Sequence, residues 1–455
     1  MKGGLLDPSG RLLAFAHLSL ADTGADTFEH WNPRAWKDGF ARLCATLRNK
    51  SPRTAVEAVV FSGNGPTLVP LDENGRAMEN AYMWLDGRSR RLEGEPSFFL
   101  PKAAWIAAER PEEYAATSVY LGCPEYLSYL LTGNIAGFTP SDEFVPYMWN
   151  ASGLAAYGLA GEKFPPLVRI GTVMGEVTAR GAQYSGIEQG TPVAAGGADF
   201  LLSLLGTGAV YPGRTCDRAG TSEGINCCSP RPVEDERIRC LPHAVEGYYN
   251  AAGILSSSGR IFEWFRRISG QREREYAEML EEIRAVGGKE APPYFFPSLH
   301  RGAVWEFAGG VFAGLEAEHG EVEMGRAVVN SIGFGIRDLV ETLEAHDCEI
   351  EALRISGGQG RNKVWNRMKA DITGKRVEIP EVIDAELVGG AVAGYAALGS
   401  MPNLQESAER LVRISSVYEP DSASAAEYSR AYEKYQRIRE KIVELFSDIS
   451  LETEK

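Results

Sequence analysis

Three glycine-rich turns carry residue types from which a chemical site could be built. The first is Gly196-Gly197-Ala198-Asp199, directly after the apolar run Pro192 to Ala195. A carboxylate delivered by small residues at the end of a strand lies where functional groups gather in α/β proteins. With water excluded, it can take the proton of a hydroxyl as a general base. The same Asp would serve equally well as N-cap of a helix over Phe200 to Leu205, and spacing alone leaves both readings open. The second turn, Ala219-Gly220-Thr221-Ser222-Glu223-Gly224, offers backbone N–H groups and two hydroxyls to phosphate oxygens. An ordinary β-turn has the same composition. The third, Ser356-Gly357-Gly358-Gln359-Gly360-Arg361-Asn362, sets flat glycine backbone and an Asn amide before a helix. That suits a purine, with the helix N-terminus favouring anions nearby, although a plain strand-to-helix loop reads alike.

Other chemistries lack their signatures. No G-x-x-x-x-G-K-[ST] occurs, nor a G-x-G-x-x-G at a strand-to-helix junction, nor H-E-x-x-H. The seven cysteines are odd in number and sparse, unlike a secreted disulfide framework. Cys216, Cys227, Cys228, Cys240 and His243 crowd into 28 residues. Only Cys240 and His243 have knuckle spacing, and adjacent strand residues such as Cys227 and Cys228 point to opposite faces. Buried, inert thiols are the expectation, and no metal ligand is assigned.

The elements that must position these turns alternate between strand and helix, the pattern of an α/β protein. Leu5-Leu6 and Arg11 to Leu20 flank Asp7-Pro8-Ser9-Gly10 as a hairpin, and Asn32-Pro33 opens a helix to Lys50. Ala55 to Phe61 reads as a strand, and Thr67 to Leu71 with Ala81 to Leu85 as a second hairpin. Helices are expected at Lys102 to Glu109 and Glu125 to Leu131. Residues 163–190, rich in Gly and Pro, read as a connection. A strand at Pro192 to Ala195 then opens the second half, followed by helices at Gly259 to Ile268, Arg272 to Val286 and Val322 to Leu343. A strand at Leu353 to Ser356 comes next, then helices at Asn362 to Ile372, Ala385 to Leu398 and Ala425 to Phe446. The expected domains are 1–190 and 191–446, with a tail over 447–455.

Length and composition fit that plan. The 455 residues, 44% hydrophobic and 24% charged, can fill more than one core. Forty-seven basic against 62 acidic side chains give a net charge of −15, which opposes nucleic-acid binding at long range. The longest weakly charged stretch, Leu387 to Met401, is 15 residues and too short for a bilayer span. An acid and a Pro at Asp7-Pro8 interrupt any leader-like apolar run, so a cytoplasmic protein without membrane partners is expected.

Taken in order, the motifs resemble the FGGY family of carbohydrate kinases. Ser62-Gly63-Asn64-Gly65-Pro66-Thr67, then Trp84-Leu85-Asp86-Gly87-Arg88, look like that family's first-half pair. Phe99 to Trp105, Tyr126 to Gly133, Gly196 to Gly208, Gly253 to Arg266 and Leu353 to Gly399 continue the likeness. The resemblance implies two actin-like ATPase (ribonuclease H-like) domains flanking a deep cleft, ATP with Mg2+, and transfer of the γ-phosphoryl group to a small sugar or polyol. Asp199 would be the catalytic base. Gly220, Thr221, Ser222, Gly259, Glu263, Gly357, Gly358, Gln359 and Asn362 would lie on the nucleotide side, and Asn64, Gly65, Pro66, Trp84, Asp86, Arg88 and Phe200 on the substrate side. Closure of the domains would limit wasteful ATP hydrolysis. A homodimer is expected by the same analogy.

Two departures shape the expectations. Met1 to Asp7 corresponds to the segment just after the family's first phosphate loop, so little phosphoryl transfer is expected of the chain as written. A non-catalytic sugar- or nucleotide-binding protein is the alternative, and an in-frame D-x-G-T upstream of Met1 would favour the enzyme. Gly65-Pro66 replace the larger substrate-touching pairs of glycerol kinases and xylulokinases, which points to a less filled pocket.

Overall fold

The computed structural model describes residues 1–20, 31–298, 307 and 309–445; the expected tail over 447–455 lies outside the described residues. The chain forms two compact units. One comprises Met1–Gly206, Pro242–Gly247 and Ala385–Arg413; the other comprises Thr207–Leu241, Tyr248–Asp384 and the chain from Ile414 onward.

In the first unit, β1 (Lys2–Leu6) and β2 (Leu12–His17) pair antiparallel. Their turn is closed by Asp7, whose Oδ1 accepts the N–H groups of Ser9 and Arg11. Asn32 caps α1 (Pro33–Lys50) by accepting from the Arg34 N–H at 2.9 Å, with Pro33 as the first helical residue. A three-stranded sheet is ordered β3 (Val59–Gly63), β5 (Pro192–Ala198), β4 (Val173–Glu176), with β3 and β5 parallel. The helices α2 (Leu100–Glu109), α3 (Cys123–Thr132) and α4 (Asp199–Thr207) belong to this unit, α4 at its edge. Phe40, Phe61, Leu71, Leu121 and Leu131 are among its buried core residues.

The structure corrects three expectations here. Residues 163–190 are not a bare connection: they hold β4 and a helix, Ala179–Ser185, which Thr178 caps through the Gly181 N–H. Their Gly and Pro content hid a short strand whose stability comes from pairing with β5. Because β5 lies between β3 and β4, it belongs to the first unit, which runs through Gly206 and past the expected boundary at 190. The expected second hairpin is reduced to Val69–Leu71, which pairs with Val119–Leu121, plus isolated bridges such as Leu68 to Tyr82.

The second unit is built on seven strands in the order β8-β9-β7-β6-β10-β11-β12. They are β6 (Thr215–Ala219), β7 (Glu223–Ser229), β8 (Ile238–Pro242), β9 (Tyr249–Leu255), β10 (Ala352–Ser356), β11 (Arg376–Pro380) and β12 (Ile414–Tyr418). Its helices include α5 (Ser258–Ile268), α6 (Glu321–Ala345), α7 (Lys363–Thr373) and α8 (Ser422–Leu445). The core gathers Val328, Ile332, Leu339 and Leu343 of α6 with Leu353, Ile355 and Ile372. Each such side chain, fully buried, stabilises the fold by roughly 1.5–3 kcal/mol before the entropy of ordering is counted. No helix among the described residues is long and apolar enough to cross a membrane.

Candidate active site

The strand β5 runs through Gly196, Gly197 and Ala198, and α4 begins at Asp199 itself. The turn read from the sequence is thus a direct strand-to-helix junction. Asp199 is half-buried, and its Oδ1 accepts the Phe200 N–H at 2.6 Å. Its neighbour β3 is parallel, with Gly63 paired to Ala198. Both strands therefore end on one edge of the sheet, and Asn64 leaves β3 beside the point where Asp199 leaves β5. Beneath them sits Cys123, the first residue of α3: a Cβ on Gly63 would fall 3.2 Å from its sulfur. Burial pushes its thiol up to about 12, and the charges of Glu125 and Asp199 add to the shift. The position of Gly65 faces open space: a Cβ there would meet nothing within 4 Å.

The remaining first-half motif is held rigidly. Asp86 is 5% exposed and takes Arg88 in a fork, Nε to Oδ1 at 2.8 Å and Nη2 to Oδ2 at 2.6 Å. Burial alone would raise the Asp86 carboxyl, but Arg88 and Lys102 together hold it below the usual range. The Arg88 guanidinium lies 4.8 Å from the Trp105 ring centroid. In this arrangement Asp86 and Arg88 satisfy one another and brace the segment that presents Trp84, which is 52% exposed. Lys102 of α2, absent from the expected site, donates its Nζ to the carbonyls of Pro66 and Met83 and so ties both substrate-side segments together. Burial, opposed by Asp86, lowers its pKa to about 8.

In the second unit the three expected nucleotide-side segments meet. Gly220, Thr221 and Ser222 form the exposed tip between β6 and β7, with the Gly220 N–H donating to the Ser222 carbonyl at 2.9 Å. The Arg260 N–H, from the start of α5, donates to the Thr221 carbonyl at 3.1 Å. Gln359 spans all three segments. Its Nε2 donates to the Gly220 carbonyl at 2.6 Å and to Ser258 Oγ at 3.4 Å, while its Oε1 accepts the Trp365 indole N–H at 2.9 Å. Gln359 is thereby engaged in holding the site together.

Gly357 and Gly259 show why glycine stands there. Gly357 has φ +102°, and a Cβ would fall 2.5 Å from the Ala219 carbonyl oxygen; one on Gly259 would fall 2.4 Å from that of Gly220. Gly358 next door is open, with nothing within 4 Å of a Cβ. Asn362 spends its Oδ1 capping α7, accepting from Val364 N–H at 3.0 Å and Trp365 N–H at 3.1 Å. Glu263 on α5 is paired with Arg266 at 2.7 Å. Among the described residues, no group of three or more His, Cys, Asp or Glu side chains is placed to hold a metal ion.

Sequence reasoning missed Lys102, Ser258 and Trp365, and with them Lys369, Asp217 and Glu223. The helix period offered one signal: Asn362, Trp365 and Lys369 recur at i, i+3 and i+7 on α7. Nothing in the sequence showed that Lys102 and the carbonyls of Pro66 and Met83 would meet.

Residues 90–206 match the N-terminal domain, and residues 218–398 the C-terminal domain, of the FGGY family of carbohydrate kinases. The chain belongs to this family. Its sequence is similar to the autoinducer-2 kinase of Yersinia pestis (strain Pestoides F), with 28% identity over 419 residues covering 87% of this chain and 76% of the relative. It is also similar to the autoinducer-2 kinase of Salmonella typhimurium (strain LT2), with 27% identity over 361 residues covering 74% and 68%. Among solved structures, the xylulose kinase from Rhodospirillum rubrum superposes with a TM-score of 0.82 at 22% identity, covering 97% of this chain and 96% of that one. The gluconate kinase from Lactobacillus acidophilus gives 0.83 at 20% identity, covering 99% and 97%. The fold is therefore that of the two-domain actin-like, ribonuclease H-like ATPases, and the chain is a carbohydrate kinase of an ATP-using family.

Proposed function

We propose that this FGGY kinase transfers the γ-phosphoryl group of ATP to a hydroxyl of a small sugar or polyol, with Asp199 as the general base. The observation that carries the reading is the joining of three separate segments by Gln359, at Gly220, at Ser258 and through Trp365. Backbone and hydroxyl donors there would cradle the phosphates at Gly220, Thr221 and Ser222. Gly259, Gly357, Gly358 and Asn362 would line the nucleoside side. Magnesium would arrive with the phosphates, whose oxygens supply much of its coordination. Catalysis of this kind is positioning and charge stabilisation. The chain's own contribution is to hold the nucleotide and to take the substrate's hydroxyl proton at Asp199.

On the substrate side, Asn64, Gly65, Pro66 and Phe200 would surround the reacting hydroxyl, with exposed Trp84 offering an apolar face to a sugar ring or chain. Asp86 and Arg88 would act by bracing Trp84. Open space at Gly65 supports a substrate larger than the smallest polyols. Autoinducer-2 is the first candidate, because relatives matching up to 87% of the chain are named for it.

The test is ADP release from MgATP with purified protein and a panel of autoinducer-2, xylulose, gluconate and glycerol. One member is expected to raise ADP release at least about tenfold over the sugar-free rate, since a correctly placed hydroxyl gains the full benefit of orientation, and that result would overturn the low activity expected from the sequence alone. No stimulation by any member would overturn the kinase reading for this panel. Saturable binding of a sugar without ADP release would instead favour a binding role.

A further inference from the structure

Behind the 220–222 turn lies a cluster that the phosphoryl-transfer chemistry does not use. Lys369 of α7 places its Nζ 2.5 Å from Asp217 Oδ2 and 2.5 Å from Glu223 Oε1, and all three side chains are wholly buried. Asp217 lies on β6, and Glu223 is the first residue of β7. The register pairs Ala219 with Glu223 and Asp217 with Ile225, so both acids lie on one face of the hairpin, at its root, with the exposed tip between them. A lysine so placed grips both legs of the turn at once.

We propose that Lys369, Asp217 and Glu223 form a charge-neutral clasp, with one proton held on Asp217, and that Lys369 is a positioning residue for ATP. The inference rests on the nucleotide reading of the turns above. Its first support is charge. Two carboxylates and one ammonium would leave a net −1 with no access to water, and an uncompensated buried charge is strongly destabilising. Asp217 Oδ1 and Glu223 Oε2 have no hydrogen-bond partner; a proton on the Asp217 carboxyl removes the excess charge. Burial and the neighbouring Glu223 hold the Asp217 carboxyl well above its usual range, in the same direction.

The second support is what the clasp connects. The helix α7 that carries Lys369 is N-capped by Asn362, the last residue of the third glycine turn. Between them Trp365 donates to Gln359, which donates to the Gly220 carbonyl. The Lys369 Nζ lies 5.7 Å from the Trp365 ring centroid. Two struts, one ionic and one through an indole and an amide, thus fix the phosphate turn to the helix of the adenosine-side loop. Three apolar side chains would fill the same volume as stably, but they would not hold both legs of a solvent-exposed turn at set distances from α7. The clasp sets the two sides of the nucleotide site before ATP arrives.

The test measures calorimetric binding of the ATP analogue AMP-PNP, with magnesium, to the full chain, well below the melting temperature. Lys369→Met is expected to weaken binding about tenfold or more, as small misplacements of positioned groups do. In ADP-release assays the KM for ATP should rise in step, with kcat at saturating ATP changed less than about twofold, the signature of lost ground-state positioning. Asp217→Asn, which keeps a neutral hydrogen-bonding group against Glu223, should retain most of the affinity that Lys369→Met loses. Trp365→Phe keeps an aromatic ring but removes the indole N–H of the second strut; it covers the case in which Lys369→Met does not fold, and should weaken binding about threefold or more. Wild-type affinity in a folded Lys369→Met, or in Trp365→Phe where Lys369→Met does not fold, overturns the positioning role and leaves a purely structural cluster. Failure of the wild-type chain itself to bind AMP-PNP overturns the nucleotide reading, and the clasp's role with it.

Discussion

Replacing Gly259 by alanine tests the geometry of the nucleotide side most directly. Alanine is the better helix former at this second position of α5, by about 1 kcal/mol, so any loss must be steric. The added Cβ would lie 2.4 Å from the Gly220 carbonyl oxygen and 3.3 Å from Gln359 Nε2. Real Cβ atoms essentially never come under 3.0 Å, so the turn or the helix start must yield by at least 3.0 − 2.4 = 0.6 Å. The carbonyl cannot simply swing aside, because Gln359 holds it at 2.6 Å and Arg260 N–H holds the next carbonyl at 3.1 Å. Overpacking of this kind costs ~1–3 kcal/mol, and disrupting the Gln359 bond adds ~1 kcal/mol. If the exposed turn moves, the cost appears as weaker nucleotide binding. At 1.4 kcal/mol per factor of ten, a total of ~2–4 kcal/mol should raise the Kd for AMP-PNP roughly thirtyfold to several hundredfold. Calorimetric titration against a thermal melt separates the outcomes. A Kd within twofold of wild type would refute the argument that Gly259 and Gly220 together shape the site, whatever the melting temperature does.

Two further outcomes are expected. Asp199→Ala should lower kcat for sugar phosphorylation by ~100-fold or more while AMP-PNP still binds, because only proton removal is lost; a fall of less than threefold would exclude Asp199 as the base. Glu125 is buried at the start of α3, and burial, opposed by its own backbone N–H and that of Phe138, pushes its pKa up to about 7 from 4.5. The native carboxyl therefore keeps a proton that the unfolded chain has released, and stability falls as pH rises from 4.5 to 7. The loss reaches roughly 3 kcal/mol above pH 7, the 2.5-unit difference at 1.36 kcal/mol per unit. Glu125→Gln stays neutral, so in urea unfolding it should match wild type near pH 4 and exceed it by up to that amount at pH 8; a difference that does not vary with pH would show that Glu125 is charged in the native protein.

The sequence alone determined what short-range physics controls. Asn32-Pro33 marked the start of α1 because an Asx cap and a first-turn proline act within one helical turn. The turn at Asp7 to Gly10, the helices over 321–345 and 363–373, and the family motifs were legible for the same reason: their signals are local and periodic. The order of Asp199, the 219–224 turn and the 356–362 turn along the chain sufficed to point to the kinase family.

Tertiary structure alone decided which of those residues hold others in place. Gln359 bridges Gly220 and Trp365, and Asp86 is closed by Arg88, pairings that the sequence does not show. The strand at 173–176 exists because β5 offers it a pairing edge, which no local propensity encodes. The contacts of Lys102 with Pro66 and Met83 span 36 and 19 residues, and those of Lys369 with Asp217 and Glu223 span 152 and 146. Such pairings arise when distant segments bury their polar atoms together and each must find a partner away from water. That requirement acts only once the chain has folded.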